Sequence, residues 1–119
     1  VVTGSGQASL LGRLSGNFPG IFQEDRIVSS RDVEHGKPNP EPYLKGLAKM
    51  KLRPWEAIVV ENAPLGVRAG VSAGVFTIAA NTGPLPDRIL AEEGAAMVMP
   101  SMRALSEAWG HLEPLLQWD

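Results

Sequence analysis

The sequence predicts an α/β protein: a parallel sheet with helices packed against it. Two observations carry that expectation. Five short apolar, β-branched runs alternate with stretches of helical periodicity, the order that builds parallel sheets through right-handed crossovers. Three chemically distinctive segments also fall at, or just after, the carboxyl ends of predicted strands, the edge where open α/β sheets bind ligands. At 119 residues one domain is expected.

The runs are Val1-Val2-Thr3, Arg26 to Ser29, Ala57 to Glu61, Gly74 to Ala79 and Ala96 to Met99. The third and fourth are apolar on both faces, as strands buried inside a parallel sheet are. Between the runs, Leu10, Leu11 and Leu14 predict a helix over Gln7 to Ser15. Tyr43, Leu44, Leu47 and Met50 predict another over Pro40 to Lys51, with Pro40 and Pro42 in its first turn. Pro64 to about Ala73 reads as a short helix whose small residues allow close approach to the sheet. Asp87 to Glu93 reads as a fourth helix, stopped by Gly94. Ser101 caps a fifth, reaching about Gly110, which residues Leu112 to Asp119 extend unless Pro114 ends it. Trp55, Trp109 and Trp118 read as packing residues, Trp118 with an exposed position.

Composition excludes several classes. Apolar residues make up 44% and charged residues 20%, and the formal charge is −2, so no basic footprint for nucleic acid is present. No apolar run approaches the roughly 20 residues of a membrane helix. The absence of cysteine removes thiolate chemistry and fits a reducing, cytoplasmic setting.

Thr3-Gly4-Ser5-Gly6 turns a strand into a helix, and such a turn aims backbone N–H groups at an anion while Thr3 adds a hydroxyl. A plain Gly-rich turn fits the same residues. A dinucleotide-binding loop fits less well, because Ser9 stands where the third glycine belongs. Gly36-Lys37-Pro38 holds a lysine ahead of a helix, where a fixed ammonium can meet charge on a phosphoryl group; a solvated surface lysine is the alternative. Val60-Glu61-Asn62-Ala63-Pro64 brings hard oxygen donors suited to Mg²⁺ to a strand tip. Here the alternative is helix capping, with Asn62 as the N-cap. Among the remaining polar residues, Ser29, Arg31, Asp32 and His35 read as loop residues, and Asn81-Thr82-Gly83-Pro84 as a turn able to rim a site.

In this order and spacing the three segments resemble the haloacid dehalogenase superfamily, and within it the β-phosphoglucomutase-like phosphatases. Thr3 matches its motif II, Lys37 its motif III and Glu61-Asn62 its motif IV. The resemblance implies a Rossmann-like three-layer α/β/α sheet and phosphoryl transfer through an aspartyl-phosphate with Mg²⁺ as cofactor. It assigns Thr3 and Lys37 catalytic roles, Thr3, Gly4 and Lys37 the phosphate, and Glu61 and Asn62 the metal. A small phosphorylated metabolite, such as a sugar phosphate, is the expected partner, with neither nucleic acid nor membrane. Sugar-phosphate mutase and non-catalytic fragment are the alternatives.

The chain departs from the family in two ways. No Asp-x-Asp (motif I) occurs in it, and Asn62 stands where Asp is common, which drops one negative charge from the metal site. Residues 1–119 therefore read as a partial core domain carrying motifs II, III and IV, without the motif I strand or the cap. On that expectation, the missing N-terminal part of the same protein becomes a partner. The chain alone would then be inactive, and unstable from two unpaired inner strand edges.

Overall fold

A strand with apolar residues on both faces needs cover on both sides, and the run ending at Ala80 receives it in full. The computed structural model describes residues 1–116; Trp118 lies outside them. Its helices are α1 (Ala8–Asn17), α2 (Glu41–Met50), α3 (Pro64–Ser72), α4 (Asp87–Glu92) and α5 (Met102–Leu112). Strands β1 (Ile58–Glu61), β2 (Phe76–Ala80) and β3 (Met97–Met99) form a parallel sheet in the order β1-β2-β3. The register sets Val60 opposite Ile78 and Glu61 opposite Ala79. Every link between successive strands is thus a helical crossover, as the alternating pattern predicts.

Side chains alternate across the sheet. Val59 packs with Tyr43 and Leu47 of α2 and with Ala69 and Ala73 of the α3 segment. Ala79 packs with Val67 and Leu90 on the same side. Ile58 and Phe76 face the other way and, with Trp109 of α5, line a small cavity. Helices therefore cover both faces, and the α/β/α layering expected from the sequence is present.

The small residues of α3 have a defined purpose. A β-carbon built on Gly70 would lie 2.6 Å from the Thr77 hydroxyl and 3.1 Å from a Val59 methyl. Thr77 is buried and bonded to the Val75 carbonyl, so the helix sits at this depth only because Gly70 lacks a side chain.

Other expectations are corrected. The first two β-branched runs do not join the sheet: Val2 and Val28 make an isolated parallel bridge. Its hydrogen bonds run from Thr3 N–H to the Val28 carbonyl and from Val28 N–H to the Val1 carbonyl. Two residues a side are too few to propagate a ladder without further neighbours. β1 is consequently an edge strand, and Val60 is 40% exposed rather than buried. In α2, Tyr43 and Leu47 are buried while Leu44 and Met50 are exposed. Trp55 is exposed, lying beside the Arg53 guanidinium, and so is not a core packing residue. Helix α1 has no fully buried residue.

Gly94, at φ 102°, ends the α4 segment as expected, and the Ser101 hydroxyl accepts the Ala104 N–H at the start of α5. Ser29 and Asp32 form a reciprocal cap over a single turn, with Ser29 N–H donating to Asp32 Oδ2 at 2.7 Å.

Two outcomes are expected. Gly70→Ala forces Thr77 or Val59 to move and costs about 1–3 kcal/mol, read as a lowered Tm. The Ser29 N–H bond, helped by Lys49, holds the Asp32 carboxyl below its ordinary value despite partial desolvation. A depressed folded pKa contributes stability above the unfolded value that is lost as pH falls through the folded one. Asp32→Asn therefore lowers Tm at neutral pH, and the gap to the parent closes in acid.

Candidate active site

The parallel sheet aims its strand ends at one edge, and the first short bridge lies alongside β1 without pairing to it. Between them runs a groove of about 860 Å³. Thr3, Gly4, Lys37, Glu61 and Asn62 all line it. Three segments separated by tens of residues thus meet at one place, although each admits a structural reading by itself.

Glu61 ends β1 and is buried. Its Oε1 accepts from Lys37 Nζ at 2.5 Å and from the Tyr43 hydroxyl at 2.5 Å. Its Oε2 accepts the backbone N–H groups of Asn62, at 3.1 Å, and Ala63, at 3.4 Å. Burial alone would push the carboxyl up; the bonds from Lys37 and Tyr43 and the lysine charge outweigh it and hold the group below its ordinary value, ionised. The carboxylate lies over Gly66 so closely that any β-carbon there would overlap it. Gly66 makes room for a charge, as Gly70 makes room for a strand.

Lys37 is three-quarters or more buried along its side chain and gives a second N–H to the Val2 carbonyl at 3.1 Å. An ammonium has three N–H donors, so one is left for a ligand. Its peptide bond to Pro38 is cis. The lysine thereby bridges the Val1–Thr3 segment and β1, and it also lines a smaller recess with Thr3, Gly4, Ser30 and Gly36.

The Thr3 hydroxyl accepts the Ser5 N–H at 3.1 Å, which leaves its own proton free to donate. Gly4 is exposed, and no atom stands within 4 Å of where a side chain would start. The turn therefore presents an open hydroxyl and backbone to the groove.

Asn62 is exposed, and its amide N–H donates to the Thr82 hydroxyl at 3.3 Å. That bond turns the amide oxygen into the free end of the side chain. Asn62 does not cap α3, because Ala63 is its N-cap and carries no side-chain cap bond, whereas the Glu61 carboxylate does lie at that helix entrance, as the dipole half of the capping alternative has it. Asn62 and Glu61 are both oxygen donors of the kind Mg²⁺ takes, but they are not equivalent. Four donors occupy Glu61, whereas the Asn62 oxygen has no partner among the described residues. Among the described residues there is no group of three or more His, Asp or Glu able to hold a metal, so a metal in this groove would need donors beyond these residues.

Sequence reasoning misses Tyr43, which reads there as a plain helix-face residue; a tyrosine on a core-facing stripe needs a partner for its hydroxyl, and that is the signal. It also misses Gly66. Thr82 does rim the groove, as the turn reading allows. Asn81 instead ties its own loop, donating to the Leu85 carbonyl and Asp87. His35 pairs with Glu41 on the surface, and Ser29 and Asp32 are consumed by their mutual cap. Phe22, Leu65 and Met102 add an apolar rim.

Gly66→Ala is expected to drive the Glu61 carboxylate off its four donors. A stability loss of about 3–5 kcal/mol follows from uncoupling a buried ion pair, measured by denaturant unfolding.

Known proteins resemble this chain in sequence and fold. Residues 2–80 match the family model for haloacid dehalogenase-like hydrolases. A solved candidate β-phosphoglucomutase from Bacteroides vulgatus is 55% identical, with a TM-score of 0.94 over 99% of this chain and 47% of its own. Hexitol phosphatase A of Escherichia coli is 42% identical over 62 residues, which are 52% of this chain and 29% of that protein. Validoxylamine A 7′-phosphate phosphatase of Streptomyces hygroscopicus is 38% identical over 58 residues, 49% of this chain and 27% of that protein. The chain thus spans about half the length of the solved relative and under a third of these curated ones. With the three segments meeting in one groove and a family model covering most of its length, the chain belongs to the haloacid dehalogenase-like hydrolases.

Proposed function

We propose that these residues form the phosphate- and Mg²⁺-handling side of a phosphatase acting on small phosphorylated polyhydroxy compounds. The observation that carries the reading is the largely buried Lys37, fixed by Glu61 and the Val2 carbonyl with one N–H left over, in the same groove as Thr3, Gly4 and Asn62. Names of relatives favour the substrate class: a hexitol phosphatase, a validoxylamine phosphate phosphatase and a candidate β-phosphoglucomutase are all named for sugar-like compounds.

In this reading the Thr3 hydroxyl and the Gly4 N–H bind phosphate oxygens. Lys37 adds its free N–H where negative charge accumulates, and its two protein bonds spare it any reorganisation during reaction. Asn62 holds Mg²⁺ through its amide oxygen, and Glu61 acts through Lys37. Mg²⁺ would supply charge neutralisation between phosphate and nucleophile. The nucleophile of the family reaction is an aspartate. Among the described residues no aspartate lines the groove, so the reading requires one from another segment of the full-length protein. Mutase activity is the second reading, supported by the 55% identity to the Bacteroides vulgatus protein.

The full-length protein is expected to hydrolyse p-nitrophenyl phosphate only with Mg²⁺, and the 119-residue chain alone to show no turnover. Lys37→Ala should lower kcat about 10²–10³-fold. Asn62→Asp restores a charge to the donor set, with Thr82 switching from acceptor to donor, and should reduce the Mg²⁺ concentration for half-maximal rate roughly tenfold. Metal-independent turnover by the full-length protein would refute the reading.

A further inference from the structure

Tyr43 stands apart from the rest of the groove. It is buried in the first turn of α2, outside the strand-end segments, yet it touches both members of the central ion pair. Its hydroxyl donates to Glu61 Oε1, the same oxygen that receives Lys37. The lysine nitrogen lies 5.0 Å from the centre of its ring, within the range of cation–π attraction. A phenol is protonated at neutral pH and Oε1 is an acceptor, so Tyr43 is the donor in this bond.

The geometry points to Tyr43 as a positioning residue for phosphoryl transfer, acting on Lys37 through Glu61. This inference rests on the proposed phosphatase reading and deepens it. The physical argument concerns how Oε1 is shared. With two donors on one oxygen, the carboxylate charge is divided between phenol and ammonium. Without the hydroxyl, that charge falls on Lys37 alone, and the ammonium is drawn toward Glu61 and away from the groove. With the hydroxyl, Glu61 is fixed by four donors at once, and the ring limits where the lysine nitrogen can sit. Asn62 shares Glu61 with Tyr43 only through its backbone N–H, on Oε2 rather than Oε1, while its side-chain amide is held by Thr82, so the metal-facing oxygen is set separately from the Tyr43 hydroxyl.

That separation makes the test specific. Tyr43→Phe in the full-length protein keeps the ring and removes only the hydroxyl. Its kcat for p-nitrophenyl phosphate is expected to fall about tenfold, the scale of one hydrogen bond to a charged group, with KM little changed. Mn²⁺ binding without substrate, followed by electron paramagnetic resonance, should stay within about twofold of the parent. In a Glu61→Gln background the same substitution should add nothing to the loss of kcat. A kcat equal to the parent's with only a lowered Tm would overturn the proposal in favour of plain packing. So would an Mn²⁺ affinity that moves in step with kcat, because Glu61 would then act on the metal. An inactive parent that also fails to bind Mn²⁺ would instead overturn the phosphatase reading beneath it.

Discussion

Glu61 brings a negative charge to the tip of an apolar strand and buries it there. Removing a carboxylate from water costs several kcal/mol unless strong donors replace the hydration. Here the replacement comes from four directions: an ammonium from the loop before α2, a phenol from α2 itself, and two peptide N–H groups at the entrance to α3. Meeting that requirement sets the positions of Lys37, Tyr43 and the α3 N-terminus at once. It also explains a glycine at position 66, since no side chain fits beneath the carboxylate. The groove is organised as a consequence, because Lys37 also reaches the Val2 carbonyl and so holds the Thr3-Gly4 turn opposite β1.

The same constraint distributes roles among residues of similar chemistry. Glu61 and Asn62 are adjacent oxygen donors, and residue type alone suits both to a metal. Their surroundings separate them. A carboxylate with every acceptor direction taken serves as an anchor, while an exposed amide whose nitrogen is engaged by Thr82 offers a free oxygen. In the proposed reading, the charge that Asn62 lacks is therefore not made good by Glu61.

Much of this was legible in the sequence. Helices α2 to α5 and the three sheet strands follow from periodicity, capping and breakers, because each is decided by local chemistry: Pro64 at the start of α3, Gly94 after α4, Ser101 before α5. The three site segments were visible only together: each alone has a structural reading, but their order and spacing along the chain do not follow from those readings. What escaped depends on partners distant in sequence. Val60 is apolar like its neighbours, and only the lack of a paired strand exposes it. Val1 to Thr3 has every mark of a strand, but a ladder needs an adjacent backbone of matching length. Tyr43 falls on a helical stripe that burial alone explains, and its hydroxyl gains meaning only from a glutamate 18 residues away. Trp55 reads as packing by size, yet its place at a surface turn leaves it beside Arg53.

In the proposed function a phosphoryl group and Mg²⁺ meet in this groove on different residues, with Glu61 reserved for Lys37. The decisive measurement is a crystal structure of the full-length protein with Mg²⁺ and tungstate, a tetrahedral oxyanion. The oxyanion is expected on the Thr3 hydroxyl, the Gly4 N–H and Lys37 Nζ, the metal on the Asn62 amide oxygen, and Glu61 still bonded to Lys37 and Tyr43. An oxyanion elsewhere, or a metal taken by Glu61 with Lys37 turned out of the groove, would contradict it.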